Sequence, residues 1–140
     1  MFTAEKGEGA WMNDRRLRVS ARREMSEFLL ATGIPFGARG GTEEMLQEFA
    51  RSLPRTAGVR RWGTASLDLA YVAAGRVDGF WERALQPWDI AAGLIIVREA
   101  GGLIGRIGEA QAHEDPMPTG DIMAANTAAY DFLTRHLEKS

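Results

Sequence analysis

The chain contains no cysteine. That absence excludes a disulfide scaffold, thiolate metal sites and a cysteine nucleophile, and it fits a reducing compartment. Lysine is nearly missing as well: two lysines stand against fifteen arginines. Spread over the whole chain, this reads as a genomic composition bias rather than a binding signal. Neither sign of charge is in excess. With 17 basic and 19 acidic residues the net charge is −2, so a strongly basic nucleic-acid binder is not expected. Long hydrophobic runs are lacking too. The uncharged stretch Ile90 to Val97 falls far short of the ~20 residues that span a bilayer. Met1 to Lys6 has no apolar core behind a basic start, so no secretory leader is read and a cytoplasmic setting is expected. No Walker A sequence, no Gly-x-Gly-x-x-Gly and no internal repeat occurs. The two histidines, His113 and His136, have no partner at metal-ligand spacing.

What is present is an ordinary globular composition: 140 residues, 45% hydrophobic and 26% charged. A chain this long buries about two-thirds of its unfolded surface, enough for one core. Phe2 to Asn13 holds two short apolar pieces around Gly7-Glu8-Gly9 and reads as a hairpin. Leu17 and Val19 alternate with Arg16 and Arg18, which predicts a strand with one wet face. Phe28 to Thr32 is a buried strand ended by Gly33-Ile34-Pro35. Thr42 to Leu53 predicts a helix with Met45, Leu46, Phe49 and Leu53 on its inner face. Strands are expected at Gly58–Trp62, Val77–Trp81, Leu103–Ile107 and Asp121–Ala125. Helices are expected at Ala65–Ala74, Pro87–Ala100 and Thr127–Leu137, with a polar loop over 108–120. Gly75 and Gly101 are helix stops and Pro87 is a helix start. The alternation of strand and helix implies an α/β fold, a mixed sheet covered by helices. The helices at 65–74 and 87–100 are apolar nearly all round, as expected of helices enclosed within a larger body.

Several residues could carry chemistry. Asp89, in Pro87-Trp88-Asp89-Ile90, stands at a helix start. There it caps free N–H groups, or offers a carboxylate oxygen to a hard cation, or does both. Glu82 ends a strand, where open α/β sheets place ligand groups. It is also readable as a solvated acid beside Arg83. Gly63-Thr64-Ala65-Ser66 joins a strand to a helix, and its backbone N–H groups would suit an anion or a polyol. The plainer reading is a helix start capped by Thr64 or Ser66. Asp68 reads as a structural acid bonded to a nearby arginine. The arginines at 15, 16, 18, 22 and 23 read as a solvated face.

Taken in order, these pieces resemble the inositol monophosphatase family. Phe2 to Ala10 is similar to its central hairpin. Gly63-Thr64-Ala65-Ser66-Leu67-Asp68-Leu69-Ala70, running on to Gly79-Phe80-Trp81-Glu82, is similar to its next block. Pro87-Trp88-Asp89-Ile90-Ala91-Ala92-Gly93, followed by Glu99-Ala100-Gly101-Gly102, is similar to its C-terminal signature. The resemblance implies a layered αβαβα fold of which this chain is the C-terminal half. It implies residues 1–20 as part of a central hairpin and sheet, and 21–140 as the C-terminal α/β domain. It further implies a magnesium-dependent phosphomonoesterase for inositol phosphates or related polyol and sugar phosphates, in which metal ions activate water for in-line attack. On the same resemblance Asp89 is a Mg2+ ligand that also touches substrate, Glu82 bonds the polyol, and Gly63, Thr64 and Ala65 form a substrate-contacting turn.

The departures matter equally. The family's Asp-Pro-x-Asp-Gly-Thr motif and glutamate pair, which supply most metal ligands, do not occur here. Leu103 to Ile107 also lacks an acidic residue often found in the family. The chain alone is therefore expected to be inactive. Its expected partners are a phosphorylated polyol or sugar, and an N-terminal half in trans or a second copy, with no nucleic acid and no membrane. The alternative reading is a non-catalytic truncated or degenerate product that acts as an interaction module.

Overall fold

A computed structural model describes residues 1–33, 42–83, 85–107 and 120–137. Its strands are β1 (Phe2–Glu5), β2 (Gly9–Met12), β3 (Arg15–Arg16), β4 (Leu29–Thr32), β5 (Gly58–Arg60), β6 (Gly79–Glu82), β7 (Leu103–Arg106) and β8 (Ile122–Ala125). Its helices are α1 (Thr42–Ser52), α2 (Ala65–Ala73), α3 (Pro87–Glu99) and α4 (Thr127–His136). Short 3-10 turns at Met25–Glu27 and Leu53–Arg55 fill the connections. No helix among the described residues is long and apolar enough to cross a membrane. The polar loop expected over 108–120 lies outside the described residues except for Gly120.

Two sheets form. The hairpin β1–β2 is antiparallel, with Phe2 opposite Met12 and Glu5 opposite Gly9, and β3 adds to β2. Gly7 and Gly9 take φ of +83° and +84° in its turn, a conformation that side chains with a Cβ resist. The larger sheet has the order β5-β4-β6-β8-β7. β4 runs parallel to β5 and β6, whereas β8 is antiparallel to β6 and β7. The parallel pairs are connected through helices, as parallel strands require.

Alternation along the strands splits the core across this sheet. Ala31, Phe80, Ile104, Ile122 and Ala124 face α2 and α3. Leu30, Trp81, Met123 and Ala125 face the side of Phe28, Tyr130, Phe132 and Leu133. The hairpin sheet packs in turn on α3 through β1 and β2. The layers run from α1 and α4, through the five-stranded sheet, to α2 and α3, and then to the three-stranded sheet. This is the α/β architecture, a mixed sheet covered by helices, that the strand–helix alternation implies.

A buried polar hub ties residues 19–29 into this frame. The Asp78 carboxylate accepts from Ser20 Oγ, from Arg22 Nη1 at 2.9 Å and from the Leu29 amide at 2.8 Å. Asn126 caps α4 by accepting from the Ala129 amide at 2.7 Å, and its amide donates to Ser20 and Arg22. All five arginines of the cluster are exposed, as expected of a solvated face, and Arg22 reaches Asp78 from it.

Three expectations are corrected. The strand over Leu17–Val19 does not form; the chain there donates from Leu17 to the Ala10 carbonyl and from Val19 to the Ala100 carbonyl, linking β2 to the end of α3. On α1, Leu46 and Leu53 are outside, while Glu48 and Ser52 are fully buried. Glu48 is turned inward because Arg83 meets it at 2.7 Å and the Trp81 indole donates to it at 3.2 Å. Phe49 is half-buried against Trp81 as expected, and the Met45 side chain lies outside the described residues. Helix α3 is only partly enclosed: Ile90, Gly93, Leu94, Ile96 and Val97 are buried, but Trp88 is 79% and Ile95 43% exposed.

Candidate active site

Three segments distant in sequence converge on one hollow of about 320 Å³, lined by Gly63, Thr64, Ala65, Ser66, Glu82, Leu85, Trp88 and Asp89. All five residues expected to bind substrate are among them. The strand-to-helix turn brings the first group. Gly63 has φ +88° with open space where a Cβ would point, so glycine is needed for the backbone path and not for room. Thr64 occupies the N-cap of α2, but its side chain makes no cap hydrogen bond. The expectation that Thr64 caps is therefore not met. The first-turn N–H groups of α2 lack intrahelical partners by construction, and they lie at the wall of the hollow.

Glu82 is the last residue of β6. Sheet alternation puts it on the same side as Phe80, toward α2 and α3. Its carboxylate lies directly over the Cα of Gly33: a Cβ built there would fall 2.0 Å from Glu82 Oε1 and 2.1 Å from Cδ. Gly33 therefore makes the room in which Glu82 stands. Sequence reasoning took Gly33 as a strand stop. Its second role had no local signal, because the partner is 49 positions away.

Asp89 is in the first turn of α3. Its Oδ2 accepts from the Gln86 amide at 2.9 Å, and the Asp89 amide is bonded to the Gln86 carbonyl at 2.9 Å. One carboxylate oxygen thus fixes the helix start, and the residue still borders the hollow. Trp88, 79% exposed, also lines the hollow, and Leu85 is held there by the hydrogen bond that its N–H donates to the Gly120 carbonyl.

Asp68 corrects another expectation. It is 1% exposed, yet among the described residues it pairs with no arginine and neither of its oxygens has a hydrogen-bond partner. Burial first, and then the Glu82 charge, push its carboxyl up to about 7. Histidine plays no part here. His136 stacks on Phe132 at 4.1 Å and bonds its carbonyl, and His113 lies outside the described residues.

A magnesium ion takes near-octahedral oxygen coordination, usually several waters, carboxylates and substrate oxygens. Among the described residues no group of three or more acidic or histidine side chains is placed to hold a metal ion. The described residues do not by themselves build such a centre.

The arrangement is a layered mixed α/β domain with a hollow lined by the turn before α2, the end of β6 and the start of α3. The family model for the inositol monophosphatase family matches residues 1–140, and the chain belongs to that family. It is 50% identical over 126 residues to the inositol-1-monophosphatase of Rhizobium meliloti (strain 1021), covering 90% of this chain and 46% of that protein. It is 48% identical over 134 residues to the Nus factor SuhB of Pseudomonas aeruginosa, covering 94% of this chain and 48% of that protein. Among solved structures, the extragenic suppressor protein SuhB from Bartonella henselae superimposes with a TM-score of 0.90 at 47% identity, over 99% of this chain and 53% of that one. The chain spans about half the length of the relatives it matches.

Proposed function

We propose that this chain is the alcohol-recognising half of a magnesium-dependent phosphomonoesterase for inositol phosphate or a related polyol or sugar phosphate. The observation that carries this reading is the convergence of Gly63, Thr64, Ala65, Glu82 and Asp89 on one hollow. The α2 turn presents N–H donors to an ester or hydroxyl oxygen. Glu82 accepts from a hydroxyl of the alcohol. Asp89 gives one oxygen to the helix start and the other to the reaction side, where it is one of the Mg2+ ligands. The remaining ligands come from a complementary half, in the same chain or in trans, and residues 1–20 are the near edge of the central sheet that the two halves share. Family membership and the inositol-1-monophosphatase relatives support hydrolase chemistry. Phosphate release from inositol 1-phosphate with magnesium is the test. The chain alone gives no turnover, and co-expression with the N-terminal half of a 50%-identical relative restores it. Robust turnover by the purified chain overturns the half-enzyme reading.

A second reading is an interaction module without catalysis. It is favoured by the edge of β1, which has no further strand among the described residues and lies beside the exposed Ile95, since unpaired edges invite association. Relatives named Nus factor SuhB show that names outside phosphatase chemistry occur among similar proteins. Light scattering after size-exclusion chromatography separates the two: a stable monomer that never associates counts against this second reading.

A further inference from the structure

Gly33 leaves a space that its own backbone does not require. It is not among the glycines with positive φ, so an alanine could follow the same path. An alanine would even gain there, since it has fewer unfolded conformations to lose. Ending a strand does not call for the empty space either.

The register of the sheet shows what the space is for. Strands β4 and β6 are parallel, with Ala31 beside Phe80 and Thr32 beside Trp81. The buried Thr32 hydroxyl donates to the Trp81 carbonyl at 2.7 Å and pins the two strands at that level. One residue on, Gly33 comes beside Glu82, and alternation turns both toward α2 and α3. A Cβ at position 33 would lie 2.0 Å from Glu82 Oε1, 2.1 Å from Cδ and 2.6 Å from Oε2. The three nearest atoms are thus one carboxyl group. Gly79 and Gly93 are crowded in another way: a Cβ there would meet leucine and alanine side chains, as in ordinary close packing. Glu82 lines the hollow, and Gly33 is not among the lining residues. The carboxylate therefore lies between the neighbouring strand and the cavity, and crowding from position 33 drives it toward the cavity.

Resting on the reading of Glu82 as the polyol-facing acid, we propose that Gly33 is a positioning residue for substrate selection: its missing side chain lets the Glu82 carboxylate recline over the end of β4, which keeps the hollow open to a ring polyol. A methyl group at 33 lifts the carboxylate into a space of about 320 Å³. The hydroxyl acceptor then stands too close for a ring, and the hollow favours a smaller, open-chain polyol.

Two measurements on the whole chain test this. In urea unfolding, Gly33→Ala lowers the midpoint while Glu82 is present, because methyl and carboxyl collide. In a Glu82→Ala background the same change raises the midpoint, because only its effect on the unfolded chain remains. A midpoint lowered equally in both backgrounds overturns the proposal, since position 33 would then be a packing site unrelated to the carboxylate. Amide NMR at Gly63, Thr64 and Ala65 next follows added myo-inositol and added glycerol. The affinity ratio of myo-inositol to glycerol falls about threefold or more in Gly33→Ala, in the range of one weakened hydrogen bond. With alanine already at 82, Gly33→Ala leaves that ratio unchanged. A ratio that Gly33→Ala does not move in the presence of Glu82 overturns the selective role, which a merely structural glycine would not have. If the sign reverses in urea but myo-inositol perturbs none of these amides in the wild type, the polyol reading of the hollow is what fails.

Discussion

Asp78 and Asp68 sit ten residues apart at the two ends of one structural problem, and both are 1% exposed. The fold treats them in opposite ways. Asp78 accepts from a hydroxyl, a guanidinium and an amide, and its own carbonyl accepts from the Asn126 amide. Asp68 accepts from no group that the structure describes. A buried carboxylate that is fully bonded holds segments together, here residues 20–29 to the sheet. One that has no partner among the described residues is buried at a cost in stability that none of those contacts returns.

The comparison can be broken most severely at Asp78. Asp78→Ala strands three donors at once and is expected to cost about 3–5 kcal/mol, the range for removing one partner of a buried charged network. Chemical denaturation should show this as a lower midpoint with an unchanged slope. A loss under 1 kcal/mol would mean that Ser20, Arg22 and Leu29 find other partners.

Asp68→Asn works in the other direction. The folded-state carboxyl titrates at about 7, above the ordinary 3.8, so between these values the folded chain holds a proton that the unfolded chain has released. Stability is complete below about pH 4, falls as pH rises toward 7, and levels off above it. The drop is of order 2–4 kcal/mol, and it disappears in Asp68→Asn, which therefore overtakes the wild type at pH 8. Melting curves at pH 5 and pH 8 read the effect directly. Equal pH dependence in the two proteins would remove Asp68 from the unbonded side of the comparison.

Gly33→Ala forces a methyl group into the Glu82 carboxylate. The side chain can swing away, so the expected cost in stability is about 1 kcal/mol, within the overpacking range. Smallest of all is Asp89→Asn. The amide oxygen still accepts from the Gln86 amide, so the melting temperature moves by about 2 °C or less. In a complete, reassembled enzyme the same change removes most magnesium-dependent activity. Unchanged metal affinity there would refute the ligand role.

The sequence was most legible where local rules govern. Glycine and proline punctuation located α2 and α3 almost to the residue, since a left-handed Gly75 and a first-turn Pro87 act on their own neighbours. The motif residues Gly63, Thr64, Ala65, Glu82 and Asp89 were readable as one set from family resemblance, and they do share one hollow. What escaped was decided by distant partners. Glu48 is polar and belongs outside by periodicity, but Arg83 and Trp81 draw it in and rotate α1 so that Leu46 faces out. Among the described residues no arginine pairs with Asp68, and helical spacing could not have shown that. Nor could a pattern of alternation reveal that Val19 bonds to the Ala100 carbonyl instead of joining a strand.

Helix α3 deserves one last look as an object with two ends. At its start Asp89 borders the hollow; at its last residue Glu99 grips the hairpin turn through the Gly9 amide, and those turn amides lower the Glu99 pKa. Thirteen helical residues make a strut of roughly 20 Å that does not stretch. The hairpin and the hollow are therefore two readings on one ruler. Whatever seizes the edge of β1 and shifts the hairpin along α3 moves the zero of the scale on which Asp89 is the mark.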